Sequence, residues 1–144
     1  MRVRVSSRVA LIVGVLAMIT GNEMSLLAYI CPKLKAVVET IESTILKLRE
    51  RQRMLQESAN LDVYSFQSEN LAIKNLIDEL TFLLQKSLKF ESMLCRPDVS
   101  YADIVSVKHE LRKILERLVY GRVKVPSEIK CYFYEVWRLL SSSE

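Results

Sequence analysis

The residue types that most often carry chemistry are scarce in this 144-residue sequence. There is one histidine, His109, and the three cysteines are Cys31, Cys95 and Cys131. A zinc-binding HExxH helix needs a second histidine four residues after the first, and Lys113 occupies that position. The cysteines lack the CxxC spacing of zinc and redox sites. We therefore predict no metal, no cofactor and no catalytic residue, with His109 on the solvated face of a helix.

The cysteines also bear on the cellular compartment. Their odd number and wide spacing favour a reducing environment, because secreted helical proteins more often carry an even, paired set. Under this interpretation the three thiols are small apolar core residues, and the protein is cytoplasmic.

Two groups of basic residues could contact nucleic acid. The segment 47–53, KLRERQR, holds four cations and one acid, a local charge of +3. Near the C-terminus, Lys130, Tyr134 and Arg138 recur every four residues as a basic and aromatic stripe. Such residues can grip a phosphate backbone and stack on bases, although acids such as Glu135 also fit an ordinary mixed surface. The candidate nucleic-acid contacts are Arg49, Arg51, Arg53, Arg122, Lys124, Lys130, Tyr134 and Arg138.

The chain opens with a basic segment followed by an almost wholly apolar run, Val9–Thr20. Three interpretations fit: a helix enclosed by protein, a secretion signal cut after Gly21, and a membrane anchor. The run is too short to cross a bilayer, which needs about 20 apolar residues. Ile19 departs from the small-residue pattern of a signal cleavage site. The enclosed helix is our working interpretation.

Small residues recur along one face of this opening segment, at steps of four, three and four. Such a face lets another helix approach closely, and a helix that is apolar on every side must be covered by its neighbours. Membrane insertion is disfavoured. The residues expected to form a protein interface are Ala10, Gly14, Ala17 and Gly21.

Long helices are expected in the middle of the chain, because three glycines and three prolines leave room for few turns. Pro32 suits the first position of a helix, and apolar residues recur from there at alternating steps of four and three. A second helix on the same pattern is expected from Phe66 to Leu94. Similar lengths and a short connector predict an antiparallel hairpin over residues 32–95.

Two shorter helices are predicted over residues 100–140. Ser100 and Asp103 resemble a capping box at the start of the first, and Gly121 is its expected C-terminal cap. Pro126 and Ser127 begin the second. The residues expected to face the core are Ile104, Val107, Leu111, Ile114, Leu115, Leu118, Ile129, Phe133, Val136, Trp137 and Leu140.

These patterns predict an all-α protein: a bundle of about five helices in a single domain over 1–144, with an apolar N-terminal helix over 1–22. The expected function is that of a non-catalytic interaction or assembly subunit that binds protein partners or copies of itself, because the apolar surface exceeds what one small bundle covers. One alternative is a small helical subunit of a nucleoprotein complex that contacts RNA or single-stranded DNA. The other is a secreted or membrane-tethered helical protein with residues 1–21 as its signal.

Overall fold

The structure is a computed structural model that describes residues 21–57 and 63–142. These residues form four helices: α1 (Gly21–Glu57), α2 (Val63–Leu94), α3 (Tyr101–Tyr120) and α4 (Ser127–Ser141). The predicted all-α class is confirmed, but the predicted count of five helices is not, since the described part of the chain has four. The predicted helix over 1–22 lies outside the described residues, except for its last two positions, which belong to α1.

Helix α1 begins earlier than the sequence predicts. Pro32 lies inside it, eleven residues after its first residue Gly21. An interior proline removes a backbone hydrogen bond and crowds the preceding turn, at a cost of about 3 kcal/mol. The apolar stripe nevertheless continues on both sides of the proline, with Leu27, Ile30 and Leu34 all buried. We attribute the continuous helix to this burial, which offsets the cost of the proline.

Helices α1 and α2 lie side by side and run in opposite directions. Cys31, in the first part of α1, is bonded to Cys95, which directly follows α2. Near the other end, Arg51 of α1 pairs with Glu69 of α2. The predicted hairpin over 32–95 is not confirmed as such, because α1 starts at Gly21 and the connection at 58–62 lies outside the described residues.

Helix α3 runs antiparallel to α2. The pair between Arg96 and Asp103 links the end of α2 to the start of α3, and Glu79 lies against Arg117 near the end of α3. The connection at 121–126 is too short to return along the roughly 30 Å of α3, so α4 must run back alongside it. Helix α4 also packs on α1, and the four helices enclose one core as a ring in the order α1, α2, α3, α4.

The predicted caps of α3 are present. The Asp103 N–H donates to Ser100 Oγ at 3.2 Å, and the Ser100 N–H donates to Asp103 Oδ2 at 3.0 Å, which completes the capping box. The hydrogen bond from the Ser100 N–H is the main cause that lowers the pKa of Asp103. At the other end the Gly121 N–H donates to Arg117 O at 2.8 Å. A Cβ on Gly121 would lie 2.4 Å from that oxygen, which explains the glycine.

With one exception, the residues of α3 and α4 that α3 and α4 should bury according to the periodicity of the sequence are buried. All six apolar residues predicted to face inward from α3 are buried, and so are four of the five predicted from α4. Trp137, the fifth, is only partly buried and packs at the margin of the core. Phe90 of α2 and Phe133 of α4 are the largest fully buried side chains.

Replacement of Phe90 by Ala should therefore destabilise the fold by about 3–5 kcal/mol, because it opens a cavity in the core. The matched control is Leu88→Ala on the same helix, where the side chain is 44% exposed and the expected loss is below about 1 kcal/mol. Urea unfolding followed by circular dichroism would measure both values. Equal losses for the two variants would contradict the packing described here.

Candidate functional site

A disulfide bond joins Cys31 and Cys95, whose Cα atoms are 5.8 Å apart. The bond connects α1 to the end of α2 across a sequence separation of 64 residues. Closing a loop of that size removes unfolded-chain entropy worth about 4 kcal/mol in the simplest model. The bond is therefore a major constraint on the fold.

The prediction that the three cysteines are small apolar core residues is wrong. Two of them form the disulfide, and the third, Cys131, is a free thiol on the exposed surface of α4. Their pairing could not be read from the sequence, because it depends on how α1 and α2 align along their lengths. Disulfides persist mainly in oxidising compartments, which bears directly on the function.

His109 lies on the exposed side of α3, as expected for a solvated histidine. No group of three or more potential metal ligands occurs in the described part of the chain. Residues 21–57 and 63–142 also contain no helix with the length and apolarity that crossing a membrane requires.

The basic segment 47–53 is largely neutralised by acids. Arg53 binds Glu50 at 2.8 Å (Nε to Oε2) and also reaches Glu57. Arg51 donates from Nε to Glu69 of α2 at 3.0 Å. The hydrogen bond from Arg53 lowers the pKa of Glu50, and the two carboxylates raise the pKa of Arg53. Arg51 and Arg53 thus already have anionic partners.

Two further cations of this segment, Lys47 and Arg49, are exposed and make no ion pair within the described residues. The local charge of +3 counted along the sequence therefore does not correspond to a continuous basic surface. Glu69, which lies 18 residues from Arg51 in the chain, is the acid that the sequence pattern could not assign to this cluster.

The second basic group has a different environment. Arg122 and Lys124 are exposed in the connection between α3 and α4, and Lys130, Tyr134 and Arg138 follow along α4. None of these four cations has an ion pair in the described structure. Counted along the sequence, Glu135 reduces the positive charge of this group, but in the structure it binds Lys33 of α1 at 3.0 Å.

A hollow of about 570 Å³ borders this second group on the last two turns of α4. Tyr134, Glu135, Trp137 and Arg138 line it together with Ser141 and Ser142. The lining is mostly apolar side-chain surface with an arginine at its edge, and it is open to solvent. It has the size to accept a side chain or a sugar ring.

Two ion-pair clusters hold α3 to α2. In the first, Arg117 donates from Nε and Nη2 to the two carboxylate oxygens of Glu79, at 2.6 and 2.7 Å. The Glu79 side chain is only 10% exposed, and the guanidinium of Arg117 also lies 4.3 Å from the ring centroid of Phe82. A two-pronged pair of this kind fixes orientation as well as distance. The contact to Glu79 raises the pKa of Arg117.

In the second cluster, Glu110 of α3 accepts from Lys86 at 2.7 Å and from Lys89 at 2.8 Å. These two hydrogen bonds lower the pKa of Glu110 from 4.5 to about 2. Its side chain is 21% exposed, so solvent screens the pair only in part.

The lowered pKa makes the stability of the fold dependent on pH. Glu110 stabilises the folded state fully above pH 4.5, and this contribution is lost as the pH falls through about 2. Glu110→Gln should therefore lower the free energy of unfolding by about 1–2 kcal/mol at pH 7 and by nearly nothing at pH 2. Denaturant unfolding at both pH values measures the difference.

Glu116→Gln is the control for this experiment. Glu116 is exposed on the same helix and has no ion pair within the described residues, so its replacement should change stability little at either pH. A loss for Glu110→Gln that is equally large at pH 2 and pH 7 would show that the ion pair is not its cause.

The far ends of α1 and α2 extend beyond the four-helix part of the protein. Arg117 lies against Glu79 and α3 ends three residues later, so most of the part of α2 that precedes Glu79 has no α3 beside it. That part is about 24 Å long. We call residues 46–57 of α1 and 63–78 of α2 the arm.

The arm exposes large apolar side chains. Leu46 is 68% exposed, Met54 58% and Leu71 57%. Only Leu55 and Ile73 are well buried near its far end. These exposed residues do not stand out in the sequence, because periodicity shows which face of a helix is apolar but not where the neighbouring helices end.

The predicted interface residues Ala10, Gly14 and Ala17 lie outside the described residues, and Gly21 is the first residue of α1. The described structure therefore does not test the small-residue face. Comparisons with family models, with curated proteins and with solved structures find no match to this chain.

Proposed function

We propose that this protein is a non-catalytic helical binding protein whose arm contacts a partner protein. The observation that carries the proposal is the exposure of Leu46, Met54 and Leu71 on the arm, which is built from two helices in the described part of the chain. Large exposed apolar side chains on a projecting element are typical of protein interfaces.

The packing of the arm supports this proposal. Two helices bury only the seam between them, whereas the ring of four helices encloses a core. The arm therefore gains stability when a partner's apolar surface covers its exposed side chains. At about 25 cal/mol per Å² of apolar surface removed from water, three large side chains make a worthwhile contribution to binding.

Polar groups near the seam of the arm fit the same picture. Gln52 and Asn70 are half-buried at positions where apolar residues would pack better, and the buried Oδ1 of Asn70 has no hydrogen-bond partner in the described structure. A buried unsatisfied oxygen costs about 1–3 kcal/mol. Polar residues at such seams lower stability and favour a particular partner or register over others.

We further propose that the protein works in an oxidising compartment, with residues 1–21 as its secretion signal. The disulfide between Cys31 and Cys95 supports this view over a cytoplasmic location. Removal of residues 1–21 would leave every residue of α1 after Gly21 in place. The basic start and the apolar run of the opening segment have the composition of a signal.

Intact mass analysis of protein purified from its native host tests the compartment. The expected mass corresponds to a chain that begins at Asn22 and lacks two hydrogens because of the disulfide. Alkylation without reduction should modify Cys131 alone, whereas alkylation after reduction should modify all three cysteines. A full-length chain in which all three cysteines react without reduction would contradict the proposal.

Site-specific photo-crosslinking in the native host tests the partner-binding role of the arm. A photoreactive amino acid at Leu46 or Leu71 should give a discrete adduct with one protein, because these side chains are expected to lie in the interface. The same amino acid at Glu42, which is exposed, and at Glu91, which is partly exposed, serves as the control, because both lie on the same two helices outside the arm.

The crosslinking results at all four positions together test the proposal that the arm binds a partner protein. Adducts at Leu46 and Leu71 that are absent at Glu42 and Glu91 support it, whether the adduct is a different protein or a second copy of this chain. An absence of adducts at the two arm positions, or the same adducts at all four positions, would refute it.

The structure gives less support to the nucleoprotein alternative in its predicted form. Arg51 and Arg53 have carboxylate partners, so binding a phosphate backbone would require them to give up these contacts. Binding through phosphates depends on the number of cations that are free to release counterions. The segment 47–53 is therefore a poor site for nucleic acid.

A further inference from the structure

Most of the acids on α3 and α4 form ion pairs with cations that lie outside these two helices. Asp103 binds Arg96, Glu110 binds two lysines of α2, and Glu135 binds Lys33 of α1. In each case the cation comes from outside α3 and α4. The acids thus serve the packing of the bundle and do not neutralise the cations on their own helices.

The cations that remain on this side of the protein outnumber the remaining acids. Between residues 101 and 142, only two acids, Glu116 and Glu128, have no ion pair in the described structure. Six cations of the same segment also have none. They are Arg112, Lys113, Arg122, Lys124, Lys130 and Arg138.

Helices α1 and α2 show no such excess. Within their described side chains, four cations and four acids are without an ion pair, so the charges balance. The cations are Lys35, Lys47, Arg49 and Lys74. The acids are Glu39, Glu42, Asp78 and Glu91.

Four of the unpaired cations follow one another from the connection into α4. Arg122 and Lys124 precede the helix, and Lys130 and Arg138 lie eight residues apart along it, about 12 Å. Tyr134 lies halfway between these two. We call Arg122, Lys124, Lys130 and Arg138 the basic track. An extended series of cations matches a linear chain with regularly spaced anions better than it matches a single small anion.

We propose that the basic track binds a sulfated polysaccharide. Of the linear polyanions, this class is present where disulfide-bonded proteins work, so the choice of polysaccharide over nucleic acid rests on the proposed oxidising compartment. Arg122 and Arg138 can form two-pronged hydrogen bonds with sulfate oxygens. The open hollow beside Tyr134 and Arg138 has room for a sugar ring, and Glu135, the acid in its lining, is paired with Lys33. Binding at this site is separate from the contact proposed for the arm.

The test is a titration of the purified mature protein into fluorescently labelled heparin, followed by anisotropy at several salt concentrations. The wild type should bind, and its affinity should fall as salt rises, because each cation at the site releases counterions. The variant R122E/K124E/K130E/R138E should lose binding by about tenfold or more. Arg122, Lys124 and Arg138 are exposed and Lys130 is partly buried, and circular dichroism verifies that the variant is folded.

The matched control is K35E/K47E/R49E/K74E, which changes the net charge by the same amount on the balanced side of the molecule. It should retain most of the heparin affinity. An equal loss in both variants would mean that binding follows net charge and not the basic track, which would overturn the proposal. If the fourfold variant does not fold, R122Q/R138Q removes two cations without reversal and should still weaken binding measurably.

Two other probes separate the classes of ligand. Heparin stripped of its sulfates should not bind, and single-stranded DNA of similar length should bind more weakly than heparin. Absence of heparin binding by the wild type, or DNA binding at least as tight, would refute the polysaccharide. Neither result depends on the crosslinking of the arm, so the two proposals can fail separately.

Discussion

The covalent link between Cys31 and Cys95 sets the alignment of α1 with α2 at the end of the bundle where α3 begins. Helix α3 starts at Tyr101, only six residues after Cys95. Its starting point relative to α1 therefore follows from the link. The pair between Arg96 and Asp103 and the capping box at Ser100 then fix the direction of α3. The position of α4 follows in turn, because the short connection at 121–126 makes it pack back on α3 and against α1.

The opposite end of the molecule has a different physical character. The pair between Glu79 and Arg117 lies close to the end of α3, and beyond that end only α1 and α2 continue in the described structure. The four-helix part is stabilised by the disulfide, by ion pairs and by an enclosed core. The arm is stabilised mainly by a narrow apolar seam between α1 and α2. Local opening requires less free energy where few apolar contacts are broken. The part of the protein that is easiest to rearrange is thus also the part that exposes Leu46, Met54 and Leu71.

The features that the sequence predicts well are those that depend on neighbouring residues. The capping box at Ser100, the six core positions of α3 and the start of α4 at Ser127 all follow from spacings within one or two helical turns. Pro32 was misleading because its local preference for a helix start was outweighed by burial on both sides. The disulfide and the end of α3 beside the arm depend on how helices align with one another. Periodicity within a helix contains no information on that alignment.

The distribution of charge on the surface depends strongly on how the helices align with one another. Counted along the chain, residues 47–53 are strongly basic, while Glu135 dilutes the stripe from Lys130 to Arg138. In the folded protein Glu69 of α2 and the flanking acids of α1 neutralise the first group, and Lys33 of α1 takes Glu135 away from the second. Along the sequence the first group carries more net positive charge, whereas in the folded protein the second group is the more basic surface. Ion pairs at 3 Å are stronger than interactions with more distant charges. The basic surface available to a polyanion therefore depends on which acids already form ion pairs between helices.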